Sequence, residues 1–282
     1  MFDHILVPLD GSDQSEQIGR WAGGLAKGLG ASITLLGVPS SNGNQSDQAM
    51  VDAKESESYL TNVANKINET GVEANIEVVA GKPSEVIVKT AERLDVDIIA
   101  VATRRVSSLA RSVLGSVTDT VLHNTATPVL IANPDALIVS ESSPDVPASL
   151  IVPLDGSSLS ERVIPTAVEF AKACGAEVVF LRVLQRAFSG SNDPATKELH
   201  KQCVEYLDAH VKSATEQGAK ARSVATSGVP AAEIMKQADE EEGSIVVMAT
   251  HGYTGFRRAV LGSVCDTIVR SSRTPVLVLP SA

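Results

Sequence analysis

Short apolar runs alternate along the chain with stretches whose apolar residues recur at helical spacing, the pattern of successive βα units around a parallel sheet. In the first half it predicts strands near 3–8, 32–38, 74–79, 96–102 and 128–132, with helices near 13–29, 49–69, 83–93 and 115–125. The first helix is the clearest: Ile18, Trp21, Ala22, Leu25, Ala26 and Leu29 lie on one stripe. Its counterpart, expected 145 positions later as one helix over 158–174, carries Val163, Thr166, Ala167, Phe170, Ala171 and Cys174. Asp13 with Glu16, and Ser158 with Glu161, have the spacing of a capping residue and its acid partner.

The second half repeats the first. Val7-Pro8-Leu9-Asp10-Gly11-Ser12 returns 145 positions later as Val152-Pro153-Leu154-Asp155-Gly156-Ser157. At an offset of 147, Gly115-Ser116-Val117 returns as Gly262-Ser263-Val264, and Thr127-Pro128-Val129-Leu130 as Thr274-Pro275-Val276-Leu277. The expected organisation is therefore two α/β domains, 1–133 and 149–282, joined by a Pro- and Ser-rich linker at 134–148. Each domain is expected to hold a five-stranded parallel sheet flanked by helices.

Composition narrows the function. Lys and Arg number 24 against 34 Asp and Glu, and the net charge of −10 comes with no basic run, which argues against nucleic acid or an anionic membrane as partner. Apolar runs fall far short of a membrane span, and the acidic start is unlike a secretory signal, so a cytoplasmic protein is expected. Three cysteines without Cys-x-x-Cys spacing suggest neither a disulfide framework nor zinc. Phosphate-binding P-loop, dinucleotide-fingerprint, His-Glu-x-x-His and Gly-x-Ser-x-Gly motifs are all missing from the sequence.

Three repeated pieces fall at the carboxyl ends of strands, where open parallel sheets bind ligands. Asp10 and Asp155 end the first strand of each domain; such a carboxylate either accepts hydrogen bonds from ribose hydroxyls or caps the turn into the next helix. Met248-Ala249-Thr250-His251-Gly252 leads through nine residues to Gly262-Ser263-Val264-Cys265, whose helix start either holds phosphate oxygens or is a capping box of Ser263 with Asp266. The first domain reads Ala102-Thr103-Arg104-Arg105 at the matching place, and Arg105 in place of Gly252 obstructs close approach or contacts phosphate itself. His251 reads as a polar loop contact and Cys265 as an inert core thiol, with base and redox roles as the sharper alternatives. Arg111, Arg257 and Arg258 either offset phosphate charge or are solvated loop cations.

These hexapeptides, the Ala249-Thr250-His251-Gly252 loop, Gly262-Ser263 and the Thr-Pro-Val-Leu strand together resemble the universal stress protein family, in tandem, over nearly the whole chain. The resemblance implies an adenine-nucleotide α-hydrolase-like, Rossmann-like sheet, and in one subclass ATP binding with Mg²⁺ held through the phosphates. It places Asp155 on the ribose, Val183 against adenine by its backbone, and Gly252, Gly262, Ser263 and Val264 around the phosphates, with Pro153, Met248, Ala249 and Cys265 among the other nucleotide-binding residues. The family's first loop glycine is Ala249 here. The first domain's set, Asp10, Val38, Ala102, Gly115, Ser116 and Val117, lacks both early glycines, so binding is expected mainly in the second domain. The resemblance also implies pairing of fifth strands into a pseudo-dimer within the chain, and self-association of whole chains. The expected role is a stress-response or signalling module with no evident catalytic residues; the rivals are a non-nucleotide interaction module and a slow ATPase using Asp155 or His251.

Overall fold

The structure, a computed structural model, describes residues 2–39, 46–105, 112–133, 146–185, 194–250 and 261–280. The chain divides into two compact units, one ending at Val146 and the other starting at Pro147.

The N-terminal unit runs β1 (His4–Leu9), α1 (Asp13–Leu29), β2 (Ser32–Gly37), α2 (Ser46–Asn68), β3 (Ala74–Val78), α3 (Pro83–Arg93) and β4 (Ile98–Ala102). A small antiparallel hairpin, β5 (Arg104–Arg105) with β6 (Ser112–Val113), precedes α4 (Ser116–Asn124) and β7 (Val129–Ala132). Its main sheet is parallel in the order β7-β4-β1-β2-β3. The chain starts at the middle strand, winds to one edge, then crosses back, so the strand order reverses between β1 and β4. Two successive helices therefore pack together, α1 with α2, and the pair after the crossover does the same, α3 with α4.

The C-terminal unit repeats this order. It comprises β8 (Ser149–Pro153), α5 (Ser158–Glu161), α6 (Ile164–Cys174), β9 (Glu177–Leu184), α7 (Pro194–Glu216), β10 (Lys220–Ser227), α8 (Pro230–Glu240), β11 (Ser244–Ala249), α9 (Ser263–Ser271) and β12 (Val276–Leu279). Its parallel order is β10-β9-β8-β11-β12. Central strands such as Leu150-Ile151-Val152 and Val178-Val179-Phe180-Leu181 are fully buried. That explains their unbroken apolar runs, because helices cover both faces of such a sheet.

Two local expectations are corrected. The residues capping the first helices are Ser12 and Ser157, one position before those expected: their hydroxyls accept from the backbone N–H of Ser15 and Ser160 at 3.2 and 3.1 Å. Asp13 and Ser158 are already helical, because the preceding serine has the extended backbone a cap requires. The helix expected as one piece over 158–174 is two, α5 and α6. Pro165 has no N–H to give the carbonyl of Glu161, and its ring crowds that oxygen, so the chain steps out of register after one turn.

Candidate functional site

In each unit a cavity opens over the carboxyl ends of the strands where the order reverses. In the C-terminal unit it encloses about 500 Å³ and in the N-terminal unit about 410 Å³.

The turn leaving the central strand builds one wall. Asp155 folds back on its own turn, and its Oδ1 accepts from the Ser157 backbone N–H at 2.9 Å and from Ser157 Oγ at 2.6 Å. Asp10 does the same with Ser12, at 3.1 and 2.5 Å. Between them Gly11 and Gly156 take φ of +81° and +84°, a left-handed conformation that makes glycine the residue of choice. The turn role foreseen for these aspartates is thus present, and both line the cavities as well.

The second wall is backbone. The ladder between β8 and β9 ends where the Leu154 N–H meets the Leu181 carbonyl at 2.8 Å, while β9 runs on to Leu184. Alternate residues of a strand turn their N–H and C=O to the same side. The peptide groups of Val183 therefore face the crevice above β8, past the last β8 residue that would pair with them.

The third wall is the start of α9. The Gly262 N–H donates to the Thr250 carbonyl at 2.7 Å, which seats the helix against the end of β11. Gly262 is the capping position and supplies no side-chain cap. The capping box of Ser263 with Asp266 is not formed. Ser263 is the first helical residue, and Asp266 instead accepts from Arg270 Nε at 2.7 Å. The backbone N–H groups of Ser263, Val264 and Cys265 thus belong to the first turn, which has no intrahelical acceptors and carries the positive end of the dipole.

Nine of the ten residues expected at this site line the cavity: Pro153, Asp155, Val183, Met248, Ala249, Gly262, Ser263, Val264 and Cys265. Gly252 lies outside the described residues, as do His251, Arg111, Arg257, Arg258 and most of the linker. In the N-terminal unit, Asp10, Val38, Ala102, Gly115 and Val117 line the smaller cavity; Ser116, which opens α4, is not among the described residues that do. Arg105 pairs with Ser112 in the hairpin.

Sequence reasoning missed other contributors. Pro230 and Ile234 on α8 help form the cavity wall, as Pro83 and Ile87 do in the other unit. The repetition of Pro83 as Pro230 was the available signal. Arg182 also lines the cavity, its guanidinium 4.7 Å from the centre of the Tyr206 ring. Tyr206 donates its hydroxyl to Glu161 Oε1 at 2.8 Å, and burial together with that bond holds its pKa well above the usual phenol value.

Cys265 is buried, and its thiol is pushed up to about 12 by burial, with a smaller push from the Asp266 charge. We expect native Cys265 to resist alkylation at pH 8 and to react once urea unfolds the chain; mass spectrometry of the labelled peptides checks this. Because the folded pKa is raised, the unfolded state loses its proton first as pH rises. The contribution of Cys265 is fully present below pH 9, the thiol's ordinary value, and is lost as pH climbs through about 12. Urea midpoints across that range should fall.

Among the described residues no helix is long and apolar enough to cross a membrane. Comparison with known families matches the universal stress protein family twice, over residues 1–133 and 149–280. A universal stress protein from Methanocaldococcus jannaschii is 32% identical over 136 residues, covering 46% of this chain and 80% of its own. One from Mycolicibacterium smegmatis is 24% identical across 98% of this chain and 96% of its own. Among solved structures, a universal stress protein from Archaeoglobus fulgidus superposes over the whole of both chains with a TM-score of 0.77 at 25% identity. With two copies of the family's domain and the reversed-order parallel sheet in each unit, the chain belongs to the universal stress protein family.

Proposed function

We propose that the chain is a stress-response module that binds ATP with Mg²⁺, mainly in its C-terminal unit. The observation that carries this is the uncapped first turn of α9 facing the same cavity as Asp155 and the unpaired edge of β9 at Val183. Anions favour such a helix start because its N–H groups and dipole both point at them. In this reading the Asp155 carboxylate accepts from ribose hydroxyls and the Val183 peptide groups read the edge of adenine. The N–H groups of Ser263, Val264 and Cys265 hold phosphate oxygens. Asp155 is the sole acidic residue among the described lining residues, so Mg²⁺ would be held through the phosphates, where it neutralises part of their charge. Local donors must outweigh the net charge of −10, which repels an anion at long range.

Occupation of both units is a second reading, favoured by one observation. Thr103 lines the N-terminal cavity, is buried, and its Oγ1 has no hydrogen-bond partner among the described residues, a deficit a ligand would relieve. Counting decides. Freshly purified protein is denatured and its released nucleotide quantified per chain, followed by titration of stripped protein with Mg·ATP. One nucleotide per chain is the expected result, and two would favour the second reading. No release and no change in Tm with excess Mg·ATP would overturn nucleotide binding, because a ligand of the native state must raise Tm. Steady phosphate release lost in Asp155→Ala would instead favour a slow ATPase.

A further inference from the structure

Among the described residues that line the two cavities, the copies differ in charge at one point. Where the N-terminal unit has Gly37 at the end of β2, the C-terminal unit has Arg182 on β9, and both stand one step beyond the same pairing, Pro8 with Leu36 and Pro153 with Leu181. Gly37 is held to glycine by packing, since a Cβ there would collide with Ser56 Oγ of α2. At the position of Ser56 the second unit has Cys203.

The perch of Arg182 is built. Its guanidinium lies over the Tyr206 ring at 4.7 Å, a cation–π contact. That ring is fixed by the hydroxyl bond to Glu161 and by an edge-to-face contact with His210 at 4.7 Å between centres. Among the described residues the guanidinium makes no hydrogen bond and no ion pair, so its planar fork of donors remains available. It also lies against the turn that follows Asp155: a Cβ placed on Gly156 would be 2.9 Å from Nη2 and 3.1 Å from Nη1. A cation and the carboxylate assigned to the ribose therefore share one rim of one cavity.

Chemistry distinguishes what that rim accepts. An acidic residue beside a ribose hydroxyl favours the unmodified sugar, whereas a nearby arginine accommodates a phosphate on it. The Asp155 Oδ1 is turned into the chain by two hydrogen bonds, which spread its charge, while Arg182 can meet two phosphate oxygens at once. Resting on the proposed nucleotide site, we propose that Arg182 makes the C-terminal unit selective for adenine nucleotides carrying a further phosphate on the ribose, at the 2′ or 3′ position.

The test is calorimetric titration of the full chain with AMP, adenosine 2′,5′-bisphosphate and adenosine 3′,5′-bisphosphate, read as the ratio of dissociation constants. The expected result is that at least one bisphosphate binds about tenfold or more tightly than AMP. In Arg182→Leu the ratio falls to about one. Arg182→Lys keeps the charge and loses the fork, so an intermediate ratio is expected. Any binding in the N-terminal unit, where Gly37 offers no cation, adds a component blind to the ribose phosphate. Equal or weaker binding of both bisphosphates, or a ratio that survives Arg182→Leu, overturns this proposal and leaves the nucleotide site standing. Failure of AMP, ATP and both bisphosphates to bind overturns the nucleotide site itself. Circular dichroism of both variants confirms that the fold persists.

Discussion

Asp155→Ala is expected to weaken Mg·ATP binding roughly 10- to 100-fold, since hydrogen bonds to a charged group are each worth about 1.5–3 kcal/mol. The same change removes the acceptor for two bonds inside the turn, from the Ser157 N–H and Oγ. Ser157 still caps α5 through Ser160, so the stability lost should be near 1 kcal/mol. Two controls separate the roles. Asp10→Ala removes the equivalent turn bonds in the N-terminal unit and should cost similar stability while sparing the C-terminal site. Asp155→Asn keeps an acceptor for Ser157 but drops the charge, and should lose part of the affinity with little stability. Calorimetric titration and urea denaturation of the three variants give both numbers. A dissociation constant unchanged within a factor of two in Asp155→Ala would leave Asp155 a turn residue only.

The fold was legible because its information lies in one-dimensional pattern. The apolar runs of β1, β4, β8 and β11 match their buried lengths, and the stripe through Ile18, Ala22, Leu25 and Ala26 is the buried face of α1. Repetition supplied the rest, since any element weak in one copy was read from the other. Repetition also misled: it carried the unbroken α1 onto residues 158–174, although Pro165 was visible as a helix breaker.

The candidate site was legible where it depends on residue type and illegible where it depends on backbone direction. Asp155 and Gly262 stand out as letters in a repeat. The crevice-facing peptide groups of Val183 exist because β9 outruns β8, a property of register that valine as a residue type does not encode. Whether Ser263 or Gly262 caps α9 is likewise decided by a backbone angle, and both readings fit the same sequence. Arg182 escaped for the opposite reason. It breaks the repeat, and attention to what the copies share passes over a charge present in only one.

Phe170→Ala should cost about 3–5 kcal/mol, a large share of the roughly 5–15 kcal/mol typical of a folded domain. Phe170 is fully buried on α6, which packs against β8 and β9. That helix depends on it more than α1 depends on any one residue. The break at Pro165 leaves α6 with eleven residues and Val163 as a start without a side-chain cap, and two of its four buried residues, Ala167 and Ala171, are alanines. Phe170 is therefore the main apolar mass docking the helix. Its counterpart, Leu25, sits on an unbroken α1 of seventeen residues capped by Ser12, so Leu25→Ala should fall in the range of about 2–5 kcal/mol without loosening the adjoining turn. Leu199, which is 48% exposed, provides the control, and Leu199→Ala should stay within about 1 kcal/mol. Urea denaturation followed by circular dichroism ranks the three. The consequence reaches the site, because α6 follows directly on α5 and the Asp155 turn. If Phe170→Ala retains the proposed site, saturating Mg·ATP should raise its midpoint and that of the unmodified chain alike. A midpoint that ATP moves only in the unmodified chain would mean that α6 docking holds the turn in its binding shape, and a loss below 1 kcal/mol would show that the alanine-rich face docks without it.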